Sequence, residues 1–304
     1  FMATGIYVGN AVKDAISAPR PDWTKGVVLL GSNKLDATSN AHEEYGLPST
    51  HTINTACLSF YLLHYYNFYG LGDGKGVLEN IARYPSFLLL FLAILAWNLF
   101  IMHGRLYLGM HSPVDIAAGL VIAVMLLLAY IPVEDFVDAW MTSTTGFVPA
   151  YQLVFSVMLC WTYPVGLQPT PSYNYAVYFT GVCLGVITGV WRCPDYHNAS
   201  AAEVARAARG HPLSAGFLVF AGRRFIVGLV VILGVRAVSK ELLKLIVPAT
   251  LRVLQIPHSD HEKVKKGCKP IGYNVLTPIR LLNYAAMGWA VAEPAFDLFA
   301  FLGI

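Results

Sequence analysis

The sequence predicts an all-α protein that crosses a membrane several times. Its 304 residues are 56% hydrophobic and only 13% charged, whereas a water-soluble domain carries about a quarter charged residues. The mean hydropathy is +0.54. The net charge of +3 is small and dispersed along the chain, which argues against a nucleic-acid-binding protein. Composition therefore favours a polytopic helical membrane protein.

A bilayer core requires roughly 20 mostly apolar residues in a helix. The first candidate span contains several polar residues, so we expect it to face protein rather than lipid. Residues 239–256 carry cations at helical spacing and a proline, which predicts a separate amphipathic segment at the interface. The polar, basic stretch 257–280 is predicted to be a connection. The predicted spans are 52–69, 86–103, 113–132, 151–167, 174–191, 217–238 and 282–303.

The order of the spans brings distant polar stretches to one membrane face. If the first span crosses and the second returns, then His51 lies on the same face as Arg105 and His111. The loops 70–85, 133–150 and 192–216 then lie on the opposite face. Lysine and arginine counts favour a cytoplasmic location for that opposite face, which would leave the sequon at Asn198 unmodified.

The first polar stretch is KDAISAPRP, which contains Lys13 and Arg20. On a helix, this spacing puts the two cations about two turns apart on one face. We therefore expect both side chains to point into one pocket. The alternative is a pair of solvated or snorkelling charges, as such pairs usually are.

The second stretch is GLPSTHT, and it precedes an apolar helix. Ser49 is a natural N-cap, so its hydroxyl and the nearby backbone N–H groups could bind an anion. His51 falls in the first helical turn, where the helix dipole disfavours the protonated imidazole. A bound phosphate would have the opposite effect and favour a ring able to give up a proton. The alternative is a structural or exposed histidine.

The third stretch, GRLYLGMHSPVDIAAG, opens another apolar helix. His111 and Asp115 are four residues apart, which predicts that they share a helix face and that the carboxylate orients the imidazole. Arg105 could hold an anion in front of the free ring nitrogen. This arrangement is suited to nucleophilic attack on phosphorus. The alternative is an ordinary helix start that Ser112 or Asp115 caps.

In this order, the patterns K-x6-RP, PS-x-H and R-x5-H-x3-D resemble the three motifs of the type 2 phosphatidic-acid phosphatase superfamily, which also includes vanadium haloperoxidases. The segments LPSTH and LYLGMHSPVD are most similar to the corresponding motifs of sphingosine-1-phosphate (long-chain-base phosphate) phosphatases. The resemblance implies a phosphatidic-acid-phosphatase-type helical core over 13–132 and further spans over 151–304, within one membrane domain, 1–304. It also implies the endoplasmic reticulum membrane, with the site facing the lumen. Such proteins have spans before the first motif, so we expect a truncated N-terminus.

The resemblance also implies roles for individual residues. His111 would attack phosphorus and form a phosphohistidine, and Asp115 would orient it. His51 would protonate the departing alcohol and then activate water. Neither a cofactor nor a metal is implied, and no Asp/Glu/His cluster with metal-ligand spacing lies near the motifs. The residues expected to bind the substrate phosphate are Lys13, Arg20, Ser49 and Arg105.

The sequence departs from the family pattern at Gly104, where serine is common. Losing that hydroxyl is expected to weaken phosphate binding without abolishing activity. The expected partners are a phosphorylated lipid and water. Other readings are a broader lipid phosphate or polyprenyl diphosphate phosphatase, an anion or lipid transporter, and an inactive scaffold. Arg223 and Arg224 lie in a predicted span without an assigned role.

Overall fold

The fold was obtained as a computed structural model, which describes residues 1–21, 44–71, 76–143, 147–167, 170–193, 215–256 and 275–304. These residues form helices and connections and contain no strand, so the all-α prediction is confirmed for them. They divide into two compact units. The first unit holds the described residues of Phe1–Val133 together with Pro164–Ala176. The second holds Glu134–Tyr163 and most of the chain after Ala176.

The first unit is built around one central helix. Its helices are α1 (Met2–Ile16), α2 (Thr50–Tyr65), α3 (Val77–Arg83), α4 (Pro85–Tyr107) and α5 (Pro113–Tyr130). Helix α2 packs against α1, α4 and α5, and the π-helical turn Tyr66–Leu71 extends it. Its hydroxyl group Ser59 Oγ accepts a hydrogen bond of 2.8 Å from Asn98 Nδ2 of α4. This contact confirms that the first predicted span finds polar partners within the protein.

Helices α2 and α5 approach each other closely because small residues lie between them. Ile53, Ala56 and Cys57 form a buried cluster with Ala123 of α5. At Gly119, a Cβ atom would lie 2.9 Å from the carbonyl oxygen of Ser49. Only glycine therefore permits the spacing that places the start of α2 beside the start of α5.

In the second unit, small residues also set the helix spacing. Its helices are α6 (Glu134–Met141), α7 (Val148–Thr162), α8 (Ser172–Arg192, whose first residues belong to the first unit), α9 (Ala215–Val253), α10 (Leu276–Ala292) and α11 (Pro294–Leu302). Three glycines of α8, at 181, 185 and 189, face α10. A Cβ atom at Gly185 would overlap the carbonyl oxygen of Ala285, so any larger residue there would separate the two helices.

Five described stretches are long and apolar enough to cross a membrane: Pro85–Tyr107, Pro113–Met141, Ser172–Arg192, Ala215–Val253 and Leu276–Leu302. They coincide with five of the predicted spans. The other two, 52–69 and 151–167, overlap helices α2 and α7, which have 16 and 15 residues. The chain is an integral membrane protein.

The expected boundary between a span ending at 238 and a separate segment beginning at 239 is wrong. Helix α9 is continuous for 39 residues and contains Pro248. The side chain of Ser239 donates a 2.7 Å hydrogen bond to Asn283 Oδ1 of α10, which anchors α9 at the expected break. A proline removes only one backbone donor, and membrane helices tolerate that loss where neighbours pack against them.

Arg224 now has a structural account. Its Nη2 donates a 2.9 Å hydrogen bond to the carbonyl oxygen of Ile304. Its guanidinium carbon lies 4.4 Å from the ring centroid of Phe220 and 5.2 Å from that of Phe299. The side chain of Arg223 is exposed. The sequon at Asn198 and most of the predicted connection 257–280 lie outside the described residues.

Candidate active site

The first two predicted cations do not share a helix, and that expectation is wrong. Helix α1 ends at Ile16 because Ser17 adopts the left-handed conformation, with φ 54°. Lys13 therefore lies in the last turn of α1, while Arg20 lies in the non-helical segment after it. Both side chains are nevertheless buried, with 2% and 7% of their surface exposed.

A carboxylate that the sequence analysis did not identify brings these two cations together. Glu44 Oε2 lies 3.5 Å from Lys13 Nζ and 2.9 Å from Arg20 Nη2. Arg20 Nε also donates a 3.1 Å hydrogen bond to the backbone carbonyl of Glu44. No local sequence pattern predicts this contact, because Glu44 lies 31 residues after Lys13 and 24 residues after Arg20.

The turn before α2 connects the first motif to the third. The backbone N–H of Gly46 donates a 2.9 Å hydrogen bond to the Ala18 carbonyl. A Cβ atom at Gly46 would lie 3.0 Å from the Pro19 carbonyl oxygen and 3.3 Å from Asp115 Oδ2. The glycine of GLPSTH therefore lets the backbone pass between the end of α1 and the start of α5.

Ser49 is the N-cap of α2, as predicted. It is fully buried, and its Oγ accepts a hydrogen bond from the Thr52 backbone N–H. Its own backbone N–H donates a 3.0 Å bond to the carbonyl oxygen of Asp115. This bond joins the start of α2 to the start of α5, so the second and third motifs meet directly.

His51 lies in the first turn of α2, as predicted, and is exposed to solvent. The surrounding protein partly desolvates the imidazole, and this desolvation, together with the positive charges of Arg105 and Lys13, lowers its pKa from 6.5 to about 4. Glu44 acts in the opposite direction and raises this pKa. Without a bound anion, the ring is therefore neutral at pH 7. A phosphate would add negative charge to the same field and raise the pKa.

His111 and Asp115 do not share a helix face as expected, because Ser112 caps α5 and Pro113 begins it. His111 therefore lies just before the helix. The two side chains still meet, with 3.7 Å between Nδ1 of the ring and Oδ2 of the carboxylate. The same Oδ2 accepts a hydrogen bond from the Ser112 backbone N–H, and this capping box fixes the carboxylate. Asp115 is thus held where it can orient the imidazole.

The electrostatic environment of His111 favours an uncharged ring. Burial, together with the positive charges of Arg20, Lys13 and Arg105, lowers the pKa of this imidazole from 6.5 to about 2. The Gly46 backbone opposes the shift. A neutral imidazole keeps a lone pair on one ring nitrogen, which a nucleophile requires.

Arg105 lies in the last turn of α4, beside the turn that carries His111. The Met110 N–H donates a 3.1 Å bond to the Arg105 carbonyl, and the Met110 carbonyl accepts a 2.9 Å bond from Arg20 Nη1. Arg20 is thus tied to the turn that holds His111. The side-chain Nε of Arg105 is buried, with no hydrogen-bond partner in the described part of the chain. It remains available to a ligand.

The structure therefore gathers all the predicted site residues at helix ends of the first unit. At Gly104, a Cβ atom would have no neighbour within 4 Å, so there is room for the serine hydroxyl that this chain lacks. Among the described residues, no cluster of His, Cys, Asp or Glu is placed to hold a metal ion. The residues that meet are Lys13, Arg20, Glu44, Ser49, His51, Arg105, His111 and Asp115.

A second contact that the sequence analysis missed anchors a distant segment near this site. Thr170 Oγ1 donates a 2.8 Å hydrogen bond to Asp14 Oδ1, and the Leu167 N–H donates a 3.2 Å bond to Ser17 Oγ. Asp14 is buried and lies next to Lys13. The segment Pro164–Ala176 therefore belongs to the first unit, and it braces the end of α1 that carries a site cation.

Comparison with known proteins gives these features a family. The model of the PAP2 superfamily matches residues 1–137. The chain is 34% identical to lipid phosphate phosphatase delta of Arabidopsis thaliana, over 98% of this chain and 73% of that protein. It is 27% identical to a dihydrosphingosine 1-phosphate phosphatase of Schizosaccharomyces pombe, over 86% and 59%. It is 26% identical to human sphingosine-1-phosphate phosphatase 2, over 98% and 68%.

No solved protein structure is detectably similar to this chain. The family match covers the Phe1–Val133 part of the first unit, where the site residues converge, and the Arabidopsis relative is similar over nearly the full length of this chain. The chain belongs to the PAP2 superfamily.

Proposed function

We propose that this chain is a metal-independent lipid phosphatase that acts on the phosphate of a long-chain-base phosphate such as sphingosine 1-phosphate. The observation that carries this proposal is the convergence of two neutral histidines and three cations at helix ends of a membrane protein. Phosphoryl transfer has a charge-spread transition state, so positioned cations are its main catalytic resource.

In the first step, His111 attacks phosphorus through the ring nitrogen that does not face Asp115. A nitrogen–phosphorus bond forms, and the bond between phosphorus and the lipid oxygen breaks. His51, protonated in the field of the bound phosphate, gives its proton to that oxygen. Asp115 stabilises the charge that develops on the attacking ring. The products of this step are the lipid alcohol and a phosphohistidine.

In the second step, the roles of the histidines follow from their new charges. His51 is now neutral and takes a proton from a water molecule, which attacks phosphorus. The nitrogen–phosphorus bond breaks, inorganic phosphate leaves, and His111 is restored. Splitting the reaction in this way lets one imidazole serve first as acid and then as base. Lys13, Arg20 and Arg105, with the N-cap Ser49, hold the phosphate oxygens in both steps.

The substrate class rests on the relatives and on the setting of the site. Two of the three relatives described above are named for long-chain-base phosphates. The site lies at the ends of apolar helices, so an amphiphile could keep its tail in the bilayer while its phosphate enters the cationic cluster. The Arabidopsis relative is named only for lipid phosphate, which favours a broader lipid phosphate phosphatase as the second candidate.

A panel of lipid phosphates in detergent, with a metal chelator present, tests the proposal. We expect the protein to release phosphate from dihydrosphingosine 1-phosphate faster than from lysophosphatidate, phosphatidate and a polyprenyl diphosphate. Equal rates on all four would favour the broader phosphatase. Absence of phosphate release, or release only with added magnesium, would contradict the proposal.

For location, we propose the endoplasmic reticulum membrane, with the site facing the lumen. A second glycosylation sequon in the described loop at 142–143 would test this orientation, because the order of the spans predicts that the stretch 133–150 lies on the face opposite the three motifs. The sequon should remain unmodified, as should the native one at Asn198. Glycosylation of either would contradict a lumenal site.

A further inference from the structure

We propose that Glu44 makes the site selective for lipid phosphates that carry an ammonium group beside the phosphoester. In this account, substrate binding exchanges ion pairs. The substrate phosphate replaces Glu44 as the ion-pair partner of Lys13 and Arg20. The substrate ammonium then pairs with the released Glu44 carboxylate. The inference rests on the proposed phosphatase function, and it assigns a specificity-determining residue that the three motifs do not contain.

The contacts of Glu44 place an anion where the substrate phosphate is expected. A single carboxylate oxygen, Oε2, lies 3.5 Å from Lys13 Nζ and 2.9 Å from Arg20 Nη2. In the described part of the chain, the other oxygen, Oε1, has no hydrogen-bond or ion-pair partner within bonding distance. Glu44 therefore binds both cations through Oε2, while its Oε1 has no partner among the described residues.

Accessibility distinguishes Glu44 from the cations that it bridges. Its side chain is 24% exposed, whereas those of Lys13 and Arg20 are 2% and 7% exposed. The charge of Glu44 also reaches across the site, because it raises the pKa of His51. An incoming headgroup can therefore reach the Glu44 carboxylate, whose charge also acts on His51, the proposed general acid.

Displacing Glu44 leaves a carboxylate that needs a new partner. A phosphate dianion carries more charge than a carboxylate and should compete well for Lys13 and Arg20. The partly buried carboxylate would then lose both of its cations, which costs free energy unless another donor replaces them.

A long-chain-base phosphate brings that donor, because its ammonium is on the carbon next to the phosphoester carbon. A glycerol-based lipid phosphate has an oxygen substituent at that position and offers no positive charge. The two substrate ions thus match the two kinds of charge in the site, anion to cations and cation to Glu44. The same geometry predicts that inorganic phosphate, which has no ammonium, is a weak product inhibitor.

Kinetics with two matched substrates test the proposal. One substrate is dihydrosphingosine 1-phosphate, and the other is the same lipid with a hydroxyl in place of the ammonium. For the unaltered protein, we expect a higher kcat/KM on the ammonium substrate. In Glu44→Gln, the ratio of the two kcat/KM values should fall about tenfold or more, since one charged pair with the substrate is lost.

Two further variants make the result specific. Glu44→Asp keeps the charge on a shorter side chain, so it should retain part of the preference, and it decides the question if Glu44→Gln does not fold. Glu79→Gln removes an exposed carboxylate from α3, in the same unit, and should leave the ratio unchanged. Inhibition by inorganic phosphate should become stronger in Glu44→Gln, because the competing carboxylate is gone.

Other outcomes would overturn the inference. Equal loss on both substrates would mean that Glu44 only positions Lys13 and Arg20. Equal gain on both would mean that it only blocks the phosphate site. If the unaltered protein hydrolyses both lipids without preference, the selectivity is wrong and the phosphatase function stands. If it hydrolyses neither lipid, the proposed function itself fails.

Discussion

The ionic groups of the two units are balanced differently. In the second unit, the carboxylate of Glu293 is nearly buried and lies 3.1 Å from Arg192 Nε, and it also accepts a hydrogen bond from Trp289 Nε1. One anion there meets one cation. In the first unit, Glu44 bridges two cations, and Arg105 adds a third whose Nε has no hydrogen-bond partner within the described residues. A balanced pair stabilises a helix junction, whereas excess positive charge prepares a site for an anion.

The largest expected effect separates catalysis in the first unit from support in the second. His111→Asn should lower kcat by at least about 10⁴-fold, because the nucleophile is lost. Glu293→Gln breaks the ion pair with Arg192 and should lower thermal stability, while kcat per folded molecule stays unchanged. Phosphate release and thermal unfolding of both variants in detergent measure these outcomes. A fully active His111→Asn protein would contradict the assignment of His111 as the nucleophile, and with it the contrast between a catalytic first unit and a supporting second unit.

The pH dependence of kcat/KM should reflect the positive charges of the first unit, because they set the pKa of His51. The reaction needs one proton shared between His51 and the phosphate. Below the His51 pKa of about 4, a second proton binds and the rate falls. Above about pH 6, where a phosphate monoester loses its second proton, the one required proton is lost and the rate falls again. The profile should therefore be a bell between these values, with His111 neutral throughout.

A charge variant in each unit tests the origin of the acidic limb. The positive charge of Arg105 lowers the pKa of His51, so Arg105→Gln should move this limb to higher pH as well as slow the reaction. Arg192→Gln in the second unit should leave the limb in place. A maximum above pH 8 in the unaltered protein would contradict the assigned proton balance.

Smaller effects are expected at the glycines that set helix spacing in each unit. Gly185→Ala makes a Cβ atom overlap the backbone carbonyl oxygen of Ala285 and should destabilise the protein by about 1–3 kcal/mol without changing kcat. Gly119→Ala presses on the Ser49 carbonyl at 2.9 Å and should lower kcat/KM about tenfold, because it moves His51 relative to His111. If both variants changed only stability, the spacing of α2 and α5 would not position the site.

The smallest effect is expected at Gly104. A side chain there meets no atom within 4 Å, so Gly104→Ser should be accommodated and should lower KM by a few-fold through an added hydroxyl near the phosphate. Gly104→Ala supplies the same Cβ without the hydroxyl and is the matched control. Equal KM values for the two variants would show that the hydroxyl makes no contact with the substrate.

Helix starts could be predicted from the sequence because their determinants are local. Ser49 caps α2 through a bond to a residue three positions later, and Ser112 caps α5 in the same way. Such contacts depend on spacing along the chain. The apolar spans are equally local, since length and composition define them.

The remaining features depend on contacts between distant segments. Lys13 and Arg20 were expected on one helix, but Ser17 ends α1 between them. Glu44 then joins them from 31 and 24 residues away, and no sequence spacing encodes that contact. Helix α9 runs past the expected break, where Ser239 bonds to Asn283 of α10. Tertiary partners decided the cases of Glu44 and of helix α9.

The most direct test of the central claim is to trap the covalent intermediate. The protein is mixed with ³²P-labelled dihydrosphingosine 1-phosphate in chelator, quenched in alkali, and its labelled peptides are sequenced by mass spectrometry. The account predicts phosphate on His111 of the unaltered protein, both slower labelling and slower loss of the label in His51→Ala, because the same imidazole serves both steps, and no label in His111→Asn. Label on another residue, or turnover without any phosphoenzyme in either variant, would contradict it.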